Sequence, residues 1–259
     1  MSIVALGADF ELWLDAAPAS ADFPGMTSDD IVLQMYSSGT TGMPKGAMLT
    51  HGNLLFTPTM GREFYGMTCD SVNLLTSPLF HIGGTGYSLT TFGQGGHTVL
   101  VRDFVVGTVL ATIEAHRVTN MILVPAMIDM LTNESLKSSH DLSSLALIAY
   151  GGAPITDPQL LSAVSILGCG FMAVYGMTES AGTIAYLGVE DHDPNGPRQH
   201  LLGSIGRSLP WNEITIIDPV TGRECAEGVV GELLVRGGQT MAGYWNQPAA
   251  TEQAVDAEG

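Results

Sequence analysis

The chain has 259 residues, enough for one large or two modest domains, and 45% of them are hydrophobic, which suits a packed core and not a disordered chain. Nine basic against 26 acidic side chains leave a net charge of -17, a field that repels a nucleic-acid backbone and argues against nucleic acid as a partner. Cys69, Cys169 and Cys225 are odd in number and widely spaced, so they suggest incidental thiols in a reducing compartment and neither a disulfide framework nor a zinc site.

At the N-terminus the apolar run is broken by Asp9 and Glu11 and no basic stretch precedes it, so a signal peptide is not expected. No run of 18 apolar residues occurs, which predicts no transmembrane segment and a cytoplasmic location. Residues 10–17 predict a short amphipathic helix with Phe10, Leu12, Trp13 and Leu14 as its apolar residues. A linker follows, then a strand over 31–36, then the glycine-rich stretch YSSGTTGMPKGAMLTHGN at 36–53, from which a helix can begin only after Gly46. A helix is expected over 54–64 with Asn53 as its N-cap.

From there short apolar runs alternate with helical periods. Strands are expected at 72–76, 97–101, 121–124, 145–150 and 171–174, and helices at 84–92, 105–116, 126–131 and 157–166. That order predicts an α/β fold, a mostly parallel sheet flanked by helices, with ligands beyond the carboxyl ends of its strands. The glycine loop, His81, the turn Gly151-Gly152-Ala153-Pro154 and the turn at Tyr175 all follow strands, so they are expected to converge on one crevice. After Leu187 the chain becomes a polar loop at 189–200. Strands at 213–217 and 230–235 then flank a turn at 219–222, a small β-rich region. Two portions are expected, an α/β part over 1–190 and a β-rich part over 191–259.

The chemistry concentrates in three places. The loop offers short hydroxyl and backbone donors together with Lys45, the composition of a phosphate-wrapping loop. It is not a Walker A loop, because Pro44 precedes Lys45 and Gly46 stands where a magnesium-binding Ser or Thr belongs. Tyr175-Gly176-Met177-Thr178-Glu179 sets an aromatic ring, a hydroxyl and a carboxylate within five positions. Glu179 alone would suit a helix N-terminus, but beside the loop it reads as a hard oxygen ligand for magnesium. His81, in PLFHIGG, alone reads as a structural histidine, and GGAP alone as a turn.

SSGTTGMPKG resembles the signature of the adenylate-forming enzymes, which comprise acyl- and aryl-CoA synthetases, luciferases and peptide-synthetase adenylation domains, and YGMTE resembles their second signature. The resemblance is strongest to bacterial long- or medium-chain fatty acyl-CoA synthetases and implies part of the large domain of that superfamily (the ANL type). It implies that Ser37, Ser38, Gly39, Thr40, Thr41, Gly42 and Lys45 hold the phosphates of ATP. Gly151, Gly152, Ala153, Pro154, Tyr175, Gly176 and Met177 would border the adenine, Thr178 the α-phosphate, and Glu179 would hold Mg2+. His81 would border the acid's carboxylate, and Thr40, Lys45, His81, Thr178 and Glu179 would be the catalytic set. The implied reaction converts a carboxylic acid to acyl-AMP and then, with CoA, to acyl-CoA.

A fatty acid is the expected substrate. Phe80-His81 has no acidic neighbour to pair with an amino group. Met121, Ile122, Met127, Ile128 and Met130 supply an apolar region, although each singly reads first as core. An aryl acid, an acyl carrier protein in place of CoA, and a nucleotide-binding module without turnover stay open, and a homodimer is compatible with the resemblance. The family pattern starts earlier and runs on past residue 259, so the chain reads as a central fragment without the N-terminal part and the small C-terminal domain. It is expected to bind nucleotide weakly and to turn over poorly.

Overall fold

The computed structural model describes residues 7–17, 25–37, 43–193 and 196–256, so Ser38, Gly39, Thr40, Thr41 and Gly42 of the glycine loop lie outside it. In chain order the described elements begin with α1 (Ala8–Asp15) and the antiparallel pair β1 (Ile31–Ser37) and β2 (Lys45–Thr50). The short helix α2 (His51–Leu54) and then α3 (Phe56–Glu63) follow. Next come β3 (Val72–Leu75), α4 (Ile82–Phe92), β4 (His97–Leu100), α5 (Val106–His116), β5 (Asn120–Leu123), α6 (Pro125–Ser135), β6 (Leu147–Gly151), α7 (Asp157–Leu167) and β7 (Gly170–Met177). The chain ends in β8 (Gly182–Leu187), β9 (Arg207–Ser208), β10 (Asn212–Ile217), β11 (Glu232–Gly237), β12 (Gly243–Tyr244) and α8 (Pro248–Ala254).

Three sheets result. The largest has seven strands in the order β4-β3-β5-β6-β7-β8-β9. Its first five are parallel and its last two antiparallel. The expected α/β fold is therefore present, with the refinement that the sheet is mixed. β12 joins β1 and β2 in a three-stranded sheet, and β10 pairs with β11 alone.

The central strands are buried on both faces, as parallel strands covered by helices must be. On one face Leu74, Met121, Ile148 and Phe171 pack with Leu110 and Ile113 of α5, Ile128 and Leu131 of α6 and Leu160 of α7. On the other, Leu147, Ala149 and Met172 meet Met60 of α3 and Tyr87 of α4. Local signals place the helices on these faces. Gln159 Oε1 accepts from both the N–H and the hydroxyl of Thr156 at the start of α7, Pro125 opens α6, and Gly168 ends α7 at φ 64.

Three local expectations are corrected. Lys45–Thr50, expected to be loop, is strand β2, because it pairs with β1 on one side and β12 on the other. The N-cap is Thr50 and not Asn53: the Thr50 Oγ accepts from the Asn53 N–H while Asn53 Oδ1 accepts from the Thr50 N–H. Asn53 then spends its Nδ2 on the carbonyls of Gly238 and Thr240, tying the helix start to a distant loop. The single helix expected over 54–64 is interrupted at Leu55 between α2 and α3.

Candidate active site

Ser37 ends β1 and Lys45 begins β2, and the two are cross-strand partners, so the glycine loop leaves and re-enters the fold at one point. Opposite them β7 turns through Thr178–Ser180, a single tight turn, into β8. Ala181 at φ 52 and Gly182 at φ 112 complete the reversal, and the Ser180 hydroxyl, buried, donates to the carbonyls of Met177 or Gly182. This turn presents Glu179 to the loop base. The Ser37 hydroxyl donates to Glu179 Oε1 at 2.7 Å, and the Tyr244 hydroxyl donates to the same oxygen at 2.8 Å. Lys45 Nζ lies 5.1 Å from the centroid of the Tyr244 ring, within cation–π range.

Backbone bonds lock the assembly. Met241 N–H donates to the Glu179 carbonyl, and Trp245 N–H to that of Gly46, each at 2.8 Å. Partial burial and the neighbouring Glu179 carboxylate push the Tyr244 hydroxyl far above its ordinary value, so it stays a donor. Among the described residues Glu179 Oε2 makes no hydrogen bond, and no group of three or more His, Cys, Asp or Glu could hold a metal. A lone carboxylate with one free oxygen suits magnesium, which keeps its waters and binds through one or two carboxylates plus phosphate.

Two cavities open beside this cluster. One, about 400 Å³, is bounded by Gly151, Gly152, Ala153, Pro154, Tyr175 and Gly176, with residues 202–205 on its far side. Gly152 is held at φ 78, a left-handed value that favours glycine, and the exposed backbone of 152–154 offers a flat wall. The second, about 130 Å³, runs along one face of α4 through Ile82, Gly83, Gly86, Tyr87 and Thr90. Gly151, Gly152, Val174 and Gly176 line both, so the cavities share a wall.

His81 caps α4, its Nδ1 accepting the Gly83 N–H at 3.0 Å, and it lies at the edge of the smaller cavity. That bond leaves the proton of the neutral ring on Nε2. Thr178 and Tyr175 are half-buried next to Glu179, and Met177 is exposed. The structure thus places His81 after β3, Gly151, Gly152, Ala153 and Pro154 at and beyond the end of β6, and Tyr175, Gly176, Thr178 and Glu179 at and beyond the end of β7, with Ser37 bonded to Glu179 and Lys45 the cross-strand partner of Ser37. Of the residues expected as an apolar region, only Ile122 lines the smaller cavity. Met121 and Ile128 belong to the opposite core, Met127 packs against that core, and Met130 is exposed.

Tyr244, Tyr65, Tyr87 and Thr183 were not among the sequence candidates. Only Tyr244 carried a signal, the MAGYW run at 241–245, which reads as structural until its hydroxyl is seen on Glu179.

Behind the larger cavity, His192 is buried against Tyr150. Its Nδ1 donates to the Gly188 carbonyl at 2.7 Å, which leaves Nε2 to accept the Tyr150 hydroxyl at 2.9 Å. Burial holds the ring's pKa below the ordinary 6.5, against the pull of the Gly188 carbonyl, Asp191 and Glu190. The unfolded chain therefore takes up this proton at a higher pH than the folded one, and the associated stability is lost as pH falls through and below 6.5. The melting temperature is expected to decline from pH 7 to pH 5.5, and His192→Gln to flatten that decline in differential scanning calorimetry.

No helix among the described residues is long and apolar enough to cross a membrane. A profile of the AMP-binding enzyme family matches residues 5–245. The chain is 32% identical over 262 residues to a fatty acid–[acyl-carrier-protein] ligase of Streptomyces coeruleorubidus, covering 98% of this chain and 49% of that one. It is 35% identical over 246 residues to a feruloyl-CoA synthase of an Amycolatopsis species, covering 93% and 48%. The o-succinylbenzoate coenzyme A synthetase of Bacillus subtilis, solved in complex with ATP and magnesium ion, superposes with a TM-score of 0.84 at 32% identity, over 96% of this chain and 50% of that one. The chain spans about half the length of these relatives. A match that covers nearly the whole chain, with both signature segments meeting at Glu179, makes the chain a member of the AMP-binding enzyme family.

Proposed function

We propose that the chain is the part of a ligase that joins a carboxylic acid to the adenylate of ATP. The observation that carries this reading is the shared wall of Gly151, Gly152, Val174 and Gly176 between a cavity sized for a purine and one sized for an acyl group. An acyl-adenylate is a molecule with those two ends. In the reaction a carboxylate oxygen attacks the α-phosphorus, the bond to the bridging oxygen of the β-phosphate breaks, and pyrophosphate leaves. Ser37 and Lys45, with the loop residues Ser38, Thr40 and Thr41, would hold the departing phosphates, and Thr178 the α-phosphate. Donors fixed beforehand stabilise the growing charge without reorganising. Glu179 would hold a magnesium ion, which neutralises phosphate charge when bound. His81, with Nε2–H free to donate, sits where the carboxylate would enter. CoA as the final acceptor follows from the family, and an acyl carrier protein is the alternative that the Streptomyces relative favours.

We further read the acid as compact and aromatic and not as a long alkyl chain. The smaller cavity, about 130 Å³, compares with the roughly 150 Å³ of an apolar cavity that takes benzene. Two of the relatives are named for aromatic acids, feruloyl and o-succinylbenzoate. The test is calorimetric binding of non-hydrolysable acyl-adenylate mimics, acyl sulfamoyl adenosines, with AMP as reference. An aroyl mimic is expected to bind at least tenfold tighter than AMP. Binding of neither would overturn the adenylation reading, and tighter binding of a hexadecanoyl mimic would return the substrate to the fatty acids.

A further inference from the structure

The turn that presents Glu179 is backed by one short stretch, residues 238–242, to which distant parts of the chain are tied. Asn53, in α2, donates through Nδ2 to the carbonyls of Gly238 and Thr240. The Met241 N–H donates to the Glu179 carbonyl at 2.8 Å, and the Ala242 N–H to that of Met48 in β2 at 2.9 Å. Gln239 sits within the stretch and is 1% exposed. Its Oε1 accepts from Trp211 Nε1 at 2.5 Å and from Asn212 Nδ2 at 2.8 Å. Its Nε2 donates to the carbonyl of Ser180, the residue after Glu179, at 3.4 Å.

The orientation of that amide is decided by its neighbours. An indole N–H can only donate, so the end of Gln239 that faces Trp211 is the oxygen, and the NH2 end is directed at the turn. Trp211 is itself fixed: its ring stacks on Phe56 at 5.3 Å between centroids and meets Phe64 edge-on at 5.6 Å. The backbone beside Gln239 presses on the same wall, since a Cβ at Gly238 would lie 2.7 Å from the Phe56 ring. Gln239 therefore joins a packed aromatic cluster to the peptide that follows Glu179. Ser37 and Tyr244 hold the tip of the Glu179 side chain, while Met241 and Gln239 hold the carbonyls of Glu179 and Ser180 at its base.

We propose that Gln239 is a positioning residue for Glu179: by bridging Trp211 and Asn212 to the Ser180 carbonyl, it holds the turn at the angle from which the carboxylate takes magnesium. This rests on the reading of Glu179 given above and deepens it, because Gln239 lines neither of the two cavities and acts only through the turn. Groups that orient a metal-binding side chain without touching the metal change metal affinity by about 10- to 100-fold when they are removed. Gln239 bears on the backbone and not on the carboxylate itself, so the lower end of that range is expected.

The test is calorimetric binding of ATP with magnesium and with EDTA, and of AMP, to the wild-type chain, Gln239→Met and Trp211→Phe. Magnesium is expected to raise the ATP affinity of the wild type by about tenfold. Gln239→Met keeps the length of the side chain but has no amide. It is expected to cut that gain to less than about threefold while AMP affinity stays within about twofold. Trp211→Phe leaves Asn212 to hold Oε1, so it should lower the unfolding midpoint in urea yet keep the magnesium gain. A purely structural role for Gln239 would lower both midpoints and leave both gains intact. Hydrogen exchange reads the same link without a substitution. Magnesium added to the ATP complex should slow exchange of the Met241 amide by about threefold or more relative to that of Ile148 in the core, because the coupling is reciprocal. A full magnesium gain in Gln239→Met, an equal loss in Trp211→Phe, or Met241 exchange indifferent to magnesium would overturn the proposal and leave adenylation standing. A wild type that binds ATP equally with and without magnesium would also overturn it, together with the metal role of Glu179. Failure to bind either nucleotide would remove the adenylation reading as well.

Discussion

Glu179→Gln is expected to lower acid-dependent pyrophosphate exchange by about 100- to 1,000-fold, the usual cost of losing one preorganised electrostatic group at a reacting phosphate or carbonyl. The change is nearly isosteric. Ser37 and Tyr244 can still donate to the amide oxygen that replaces Oε1, so the two hydrogen bonds fixing the turn survive. What disappears is the negative charge and the free oxygen Oε2, the two properties a magnesium ion requires. The substitution should therefore raise the magnesium concentration needed for half-maximal exchange while leaving the unfolding midpoint in urea nearly unchanged. Exchange measured across a magnesium titration separates these outcomes. An unaltered magnesium dependence would show that Glu179 holds only its two hydroxyl partners.

The second large effect is expected at Gly176. A Cβ there would strike the carbonyl of Gly182 and lie 2.9 Å from Thr183 Cα, both backbone atoms that cannot swing away. Gly176 also sits where the β7–β8 register shifts, the point that brings the turn with Glu179 into place. Overpacking of this kind costs about 1–3 kcal/mol, which for a chain of this size lowers the melting temperature by roughly 3–10 °C. Because Gly176 lines both cavities, affinity for AMP should fall as well. Gly203→Ala is the matched comparison. Gly203 borders the same larger cavity, but a Cβ there meets nothing within 4 Å, so its stability should change by less than about 0.5 kcal/mol. Equal melting shifts for the two variants would contradict the close approach at Gly176.

Much of the architecture was legible because the parallel strands are short, mostly apolar runs followed by helical periods. Leu147 to Tyr150 and Phe171 to Ala173 are buried throughout, and their short length favours strand over helix. What escaped was antiparallel and short. β2 contains Gly46 and opens with Lys45, and it is held as a strand by partners on both sides, one of them about two hundred positions later in the chain. β8 begins at Gly182, directly after a reversal that depends on the left-handed backbone of Ala181. The true helix cap at Thr50 was hidden because Thr and Asn are both good caps, and the choice was settled by carbonyls of Gly238 and Thr240.

The candidate site followed the same division. Motif residues such as Lys45, Gly151 and Glu179 announce themselves through spacing, and the structure draws their segments together. Tyr244, Thr183 and Tyr87 matter through contacts across the fold: the Tyr65–Thr183 pair spans 118 positions, and the Tyr244–Glu179 pair 65. No local pattern encodes such distances.

The wall common to the two cavities has a thermodynamic consequence. Gly151, Gly152, Val174 and Gly176 cannot shift toward one ligand without withdrawing from the other. Occupancy of the two sides is then linked, and linkage is reciprocal: the factor by which a bound nucleotide alters affinity for the acid equals the factor by which the acid alters affinity for the nucleotide. A side chain added to that wall would change this coupling constant and not merely one of the two affinities.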